Sequence, residues 1–254
     1  MMQTQIIYED DTLFVVYKPA GLATQSARVT QPDVVSELNN YLAAKNNGKT
    51  PYLGLIHRLD QPVEGLLVFA KDKKAAANLS SQLSAENKQC EKAYRAVVYL
   101  DKKDGTETGQ TEPLKKENLT GREKASADGF RVLTDYLVKD SRVNLAKVVS
   151  KDTPQAKKAV LSYRVLKVIE DLALVEIRLQ TGRFHQIRAQ LSHAGMPLLG
   201  DQKYGSEVSS LKSQHLQVKT VALCANRLTF VHPKTNKTLS YKIEPRNPVF
   251  EIMK

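Results

Sequence analysis

The sequence predicts an α+β fold. Three observations carry that reading: β runs open and close the chain as hairpins, helical segments are few and short, and no regular strand–helix–strand alternation links them. The opening segment from Ile6 to Tyr17 divides into IIY and LFVVY around Glu9-Asp10-Asp11-Thr12, a turn-forming set, which predicts a hairpin. From Asp33 onward, Val34, Val35, Leu38, Tyr41 and Leu42 recur at helical spacing, and the pattern stops at Asn46-Asn47-Gly48. Gly65 leads into LLVFA, an apolar run of strand length. Asp72 is placed to cap a helix that carries Ala75, Ala76, Leu79 and Leu83 on one face. Lys92 to Leu100, rich in Tyr and Val, reads as a strand.

Residues 101–130 are polar, charged and poor in large apolar side chains, so they read as a loop or insertion within one domain spanning residues 1–254. Strands are expected at Ala159–Ile169 and Leu172–Leu179, the second with Ala173, Val175, Ile177 and Leu179 in alternation. Thr181 is positioned to cap a helix holding Ile187 and Leu191, with Gly195 just beyond its end. The stretch CANRLTFVHPKTNKTLSYKI predicts a closing hairpin turned at Pro-Lys-Thr-Asn-Lys.

The 254 residues, 41% hydrophobic and 26% charged, exclude a disordered or collagen-like chain. A net charge of +11 puts a polyanion, nucleic acid or an anionic membrane surface, first among expected partners. Charge alone fits a basic protein without such a partner equally well. Cys90 and Cys224 have no Cys or His neighbours at ligand spacing, so neither a zinc site nor a disulfide framework is expected. The N-terminus turns acidic before a signal-length apolar stretch develops, and nothing approaches the ~20 apolar residues of a membrane span. A cytoplasmic protein is expected. No GxxxxGK[ST] or GxGxxG run indicates a phosphate-binding loop.

Three clusters place ionisable side chains at strand or helix ends, where a scaffold can hold them. His57-Arg58-Leu59-Asp60 precedes the LLVFA strand, and a carboxylate on a turn into the core needs a charged partner or donors. Arg183-Phe184-His185-Gln186-Ile187-Arg188 opens a helix, so its donors and the positive end of the helix dipole form a natural anion site. Lys92-Ala93-Tyr94-Arg95 puts an aromatic among basic neighbours, with Tyr94, Ala96 and Lys92 on one strand face. Such a tyrosine can stack on a base, or be half-buried packing.

Together HRLDQPVEGLLVFAK at 57–71, KAYRAVV at 92–98 and LQTGRFHQIRAQLSHAGMPLLGDQKYG at 179–205 resemble the RluA-type family of pseudouridine synthases, in the same order and at comparable spacing. YEDDTLFVVYKPAGLAT at 8–24 is similar to that family's opening, and the resemblance runs from about Ile6 to Ile243. It implies the pseudouridine synthase fold, a bent, mostly antiparallel mixed sheet with flanking helices and a catalytic cleft across it. The implied reaction is isomerisation of specific uridines in ribosomal or transfer RNA, without metal or organic cofactor, by a monomer that needs no membrane. Asp60 matches the catalytic aspartate, Tyr94 the tyrosine lying against the target base and Arg183 the arginine paired with the aspartate. Arg58 matches the residue that occupies the space left by the flipped base, and His57, His185, Gln186 and Arg188 are expected to contact RNA.

One departure stands out: Val63-Glu64 occupies the place where the family commonly shows Thr-Ser. The family's small N-terminal RNA-binding domain is also absent from the pattern, which puts target choice on the catalytic domain and the polar insertion at 101–130. Two rivals follow from the same residues. A glycosidic-bond hydrolase would use Asp60 and Glu64 as its acid and base, and a non-catalytic RNA-binding protein would keep the fold alone.

Overall fold

A computed structural model describes residues 2–26, 30–84, 89–100 and 128–254. The expected insertion at 101–130 lies outside the described residues as far as residue 127. The described residues fall into two compact units, Met1–Ala93 with Cys224–Arg246, and Tyr94–Leu223 with Asn247–Lys254.

In the first unit the opening hairpin is β1 (Gln5–Glu9) against β2 (Leu13–Lys18), antiparallel as expected. Every residue of β2 is buried, because it lies between β1 and the equally buried β4 (Glu64–Ala70). β3 (Gly54–Leu55) also pairs with β4, and β10 (Leu223–Val231) joins β4 in parallel through Cys224 and Ala225 before turning back as β11 (Thr238–Lys242). The approach at Gly65 is so close that a Cβ there would lie 2.5 Å from the Ala225 nitrogen, and its φ of +135° is open only to glycine. Leu13, Val15, Leu66, Val68, Leu79 and Phe230 form the core, each worth roughly 1.5–3 kcal/mol on burial.

Helix α1 (Val34–Lys45) buries Val34, Leu38 and Leu42, and α2 (Lys73–Gln82) buries Ala75 and Leu79. Asp72 caps α2 as expected, accepting from the Ala75 N–H, and Asp33 caps α1 in the same way, accepting from the Ser36 N–H. His232 organises the closing hairpin, its Nδ1 accepting from the N–H groups of Lys234 and Thr235 while Nε2 donates to Asp10 at 2.7 Å.

The second unit is a sheet of order β5-β9-β8-β6-β7: β5 (Glu91–Tyr99, from Tyr94 onward), β9 (Leu172–Leu179), β8 (Lys157–Ile169), β6 (Arg131–Asp140) and β7 (Leu145–Val149). The sequence reading missed β6 and β7, and it also missed α4 (Glu207–His215) and the one-turn α5 (Val249–Ile252). Helix α3 is Gln186–His193. Its N-cap is His185 in the left-handed region at φ 51°, not Thr181. The Thr181 hydroxyl instead accepts from the Val160 N–H and donates to the Gln186 side chain, so it fastens the preceding loop to β8.

Candidate active site

Asp60 lies half-buried in the loop between β3 and β4, and the backbone on both sides of it is tied down by the segment that follows β2. Before it, the Thr24 hydroxyl donates to the Leu59 carbonyl at 2.8 Å and accepts from the Leu59 N–H at 3.1 Å. After it, the Gln61 carbonyl accepts from the Gly21 N–H at 2.8 Å and from Lys18 Nζ at 3.1 Å, while the Gln61 side chain donates to the Gly21 carbonyl. Gly21 sits at φ +90°, the left-handed region its turn requires. The Asp60 carbonyl itself accepts from the Val63 N–H, which closes the turn. The loop is thus shaped by bonds to the Leu59, Asp60 and Gln61 backbone and to the Gln61 side chain.

Lys18 is the centre of this clamp. Its side chain is fully buried, and Nζ donates to the carbonyls of Pro19, Leu22 and Gln61. Three carbonyls match the three N–H bonds of an ammonium group. Burial pulls its pKa down to about 7, against the opposing pull of the negative charges of Asp60 and Glu64. Sequence reading assigned Lys18 no role. The only signal was a lysine closing an otherwise apolar strand just before Pro19.

Glu64 is 2% exposed; it accepts from the Tyr17 hydroxyl at 2.6 Å and from the Arg246 backbone N–H at 3.0 Å, and the Arg246 guanidinium lies 3.9 Å above the Tyr17 ring. Burial and the charge of Glu64 drive the Tyr17 pKa upward, so its hydroxyl remains a donor. A carboxylate held this way is no acid or base for an attacking water, which removes the second group that the hydrolase reading needs. Arg58 is exposed. His57, expected to contact RNA, accepts from the Val68 N–H of β4 at a long 3.4 Å, and burial, with the Lys92 charge adding to it, lowers its pKa to about 3. It is therefore a neutral imidazole packed on the strand rather than a cation for phosphate.

In the second unit Tyr94 is 5% exposed on β5, and Arg183 is exposed in the loop before α3, where its Nε donates to the Lys158 carbonyl at 2.9 Å. Two expected RNA contacts are corrected by burial. Gln186 spends its amide inside the fold, Oε1 accepting from Thr181 and from the Arg183 N–H, Nε2 donating to the Val160 carbonyl. It shapes the Arg183 loop. Arg188, 3% exposed, forks onto Asp201 with Nε and Nη2 at 2.7 and 2.8 Å from its two oxygens. Both residues sat on a basic helix start, and sequence spacing does not reveal which side of that helix faces inward. His185 stacks on Phe184 at 3.7 Å and meets the Tyr204 hydroxyl through Nδ1 at 2.9 Å. That hydroxyl accepts from the Ala146 N–H, which leaves its own proton for the imidazole.

Residues 12–193 match the family model described as RNA pseudouridylate synthase. The chain belongs to this family. It is 32% identical over 248 residues to ribosomal large subunit pseudouridine synthase D of Zymomonas mobilis, covering 94% of this chain and 68% of that protein. It is likewise 32% identical over 241 residues to the RNA pseudouridine synthase YhcT of Bacillus subtilis, covering 93% and 67%. The solved human RNA pseudouridylate synthase domain containing 4 has the same fold, with a TM-score of 0.68 at 24% identity over 98% of this chain and 92% of that one.

An RNA pseudouridine synthase isomerises uridine within the chain: the N-glycosidic bond breaks, the base turns, and a carbon–carbon bond to the same sugar forms. The clamp suits a reaction whose intermediate must not be lost, because a loop tied at Leu59 and Gln61 presents its side chain in one geometry. It also predicts a pH dependence. A neutral Lys18 amine has only two N–H bonds for three carbonyls, so the grip on Gln61 weakens as pH rises through about 7, and kcat/KM should show an alkaline limb there. Glu64 raises the Lys18 pKa, so Glu64→Gln, whose amide oxygen still accepts from Tyr17, should move that limb to lower pH. A displacement of about one unit corresponds to roughly tenfold lower kcat/KM on the alkaline side. The two pH profiles check this, and a limb that stays in place separates Lys18 protonation from the loop.

Proposed function

We propose that this pseudouridine synthase acts on ribosomal RNA in the cytoplasm, as a monomer, with Asp60 as its essential carboxylate. The observation that carries the assignment of Asp60 is the loop clamp: the bonds that shape the turn engage the Leu59, Asp60 and Gln61 backbone, which fixes the place from which the carboxylate is presented. An ionised carboxylate serves both conceivable routes, attack on the sugar and proton abstraction from it. The resemblance to the family assigns Arg183 and Tyr94 to the same reaction, Tyr94 to the target base. The family match extends through residues of both compact units, which supports reading residues 1–254 as one catalytic domain.

The reacting sugar carbon is enclosed in folded RNA, so the nucleotide must be extruded, at a cost of a few kcal/mol in stacking and pairing. Arg58, exposed beside the Asp60 loop, compensates by occupying the vacated space. Ribosomal RNA is the proposed target because the Zymomonas relative carries the large ribosomal subunit in its name. Pseudouridine mapping across ribosomal and transfer RNA from a deletion strain, with and without the restored gene, tests this. The expected result is the loss and return of one or a few sites in ribosomal RNA. Loss confined to transfer RNA would move the target there.

A further inference from the structure

An antiparallel sheet with one face on the core is normally polar on the other. The sheet of the second unit is not. Leu137, Ala146 and Ala159 pack with Ala189 of α3 on one face of β6, β7 and β8. The registers place Tyr136 opposite Val149 and Lys158, Val138 opposite Lys147, and Thr134 opposite Val160 on the reverse face. There Tyr136, Val138, Val149 and Val160 are all only half-buried, and Lys147 and Lys158 are exposed among them. At one end of the same face the guanidinium groups of Arg164 and Arg178 lie 4.9 and 4.2 Å above the ring of Phe130, each about three-eighths exposed.

We propose that this face is a docking platform for single-stranded RNA flanking the modified uridine, with bases on the Tyr136 strip and phosphates on Lys147, Lys158 and the arginine pair. Charge decides the occupant. Four cations border the strip; among the described residues the acids paired with them are Glu176, which accepts from Arg164, Asp128, 4.0 Å from Arg178, and Asp140, which accepts from Lys147, so the cations outnumber the acids. A net positive rim around an aromatic and aliphatic strip fits a ribose-phosphate chain with unpaired bases, since every base has a face to stack and no sequence need be read. The Arg164 and Arg178 groups, held over one ring, are set in place before binding, which lowers the ordering cost of two phosphate contacts. The proposal rests on the RNA substrate of the family and adds where RNA outside the reacting nucleotide is held.

The test measures binding of a uridine-rich single-stranded RNA of about 20 nucleotides across a salt series, for the whole protein and its variants. Lys147→Gln with Lys158→Gln should weaken binding and reduce the slope of log affinity against log salt by about 1.4, two single-strand phosphate contacts at about 0.7 each. Tyr136→Ser should weaken binding about tenfold, and Tyr136→Phe should restore it. Unchanged affinity and slope in the lysine double variant would overturn the platform. So would sedimentation showing that wild type is a dimer and the variants monomers, because the face would then join two copies of this chain. Wild-type tritium release from 5-tritiated ribosomal RNA is followed alongside: its absence counts against the isomerase function, whereas unaltered binding by the variants counts against the platform alone.

Discussion

Asp60→Asn should abolish pseudouridine formation, lowering turnover by about 10⁴-fold or more, while the protein folds and binds RNA as before. The size follows from chemistry. An amide can neither attack the sugar nor take a proton from it, so both routes fail together. The specificity follows from structure. The loop is held through the Leu59 and Gln61 backbones, by Thr24, Gly21 and Lys18, and none of those bonds passes through the Asp60 side chain. Removing the negative charge also lowers the Lys18 pKa further, so the variant and wild type are best compared across a pH series that extends well below 7. Tritium release from 5-tritiated RNA, together with thermal melting and RNA binding, distinguishes the outcomes. A variant that melts several degrees lower would show Asp60 to be part of the scaffold, and one that releases tritium at the wild-type rate would dismiss it from catalysis.

Where a structural signal is local, the sequence displays it. The opening and closing hairpins, the helices capped by Asp33 and Asp72, and the buried β4 all follow from spacing, cap chemistry and apolar run length over a few residues. β6 and β7 escaped because their two faces do not contrast. Val132, Tyr136 and Val138 are as apolar as the core-facing Leu133 and Leu137, so the two-residue alternation that marks a half-buried strand is blurred. The displaced start of α3 has a similar cause: Thr181 is a good capping residue, but Gln186 reaches back to the loop first. Asp60 and Arg183 were visible as motif residues. The role of Lys18 was not, because its partners are carbonyls at Pro19, Leu22 and Gln61 brought together only by the fold. The chemistry of a backbone carbonyl is the same at every position, so it leaves no trace in sequence.

Asp201→Ala should be the most destabilising single change among the residues discussed, costing about 3–5 kcal/mol. The Arg188 and Asp201 side chains are 4% and 0% exposed, and the carboxylate also accepts from the N–H groups of Lys203 and Tyr204. Truncating it strands a guanidinium inside the second unit and leaves two amides without their acceptor, each an added cost. For a chain of this size roughly 2–4 °C of melting temperature accompany each kcal/mol, so a fall of about 6–20 °C is expected. The pair is a pin rather than a reservoir of stability, since two buried charges regain in attraction little more than they lose in hydration. Arg188→Met combined with Asp201→Leu should therefore melt well above Asp201→Ala, in spite of carrying one more substitution. What the pin protects is the start of α3, where Tyr204 in the turn after Asp201 meets His185, and Gln186 shapes the Arg183 loop. The double variant should thus recover stability more fully than turnover. Recovery of both in equal measure would show that the pair serves folding and has no part in placing Arg183.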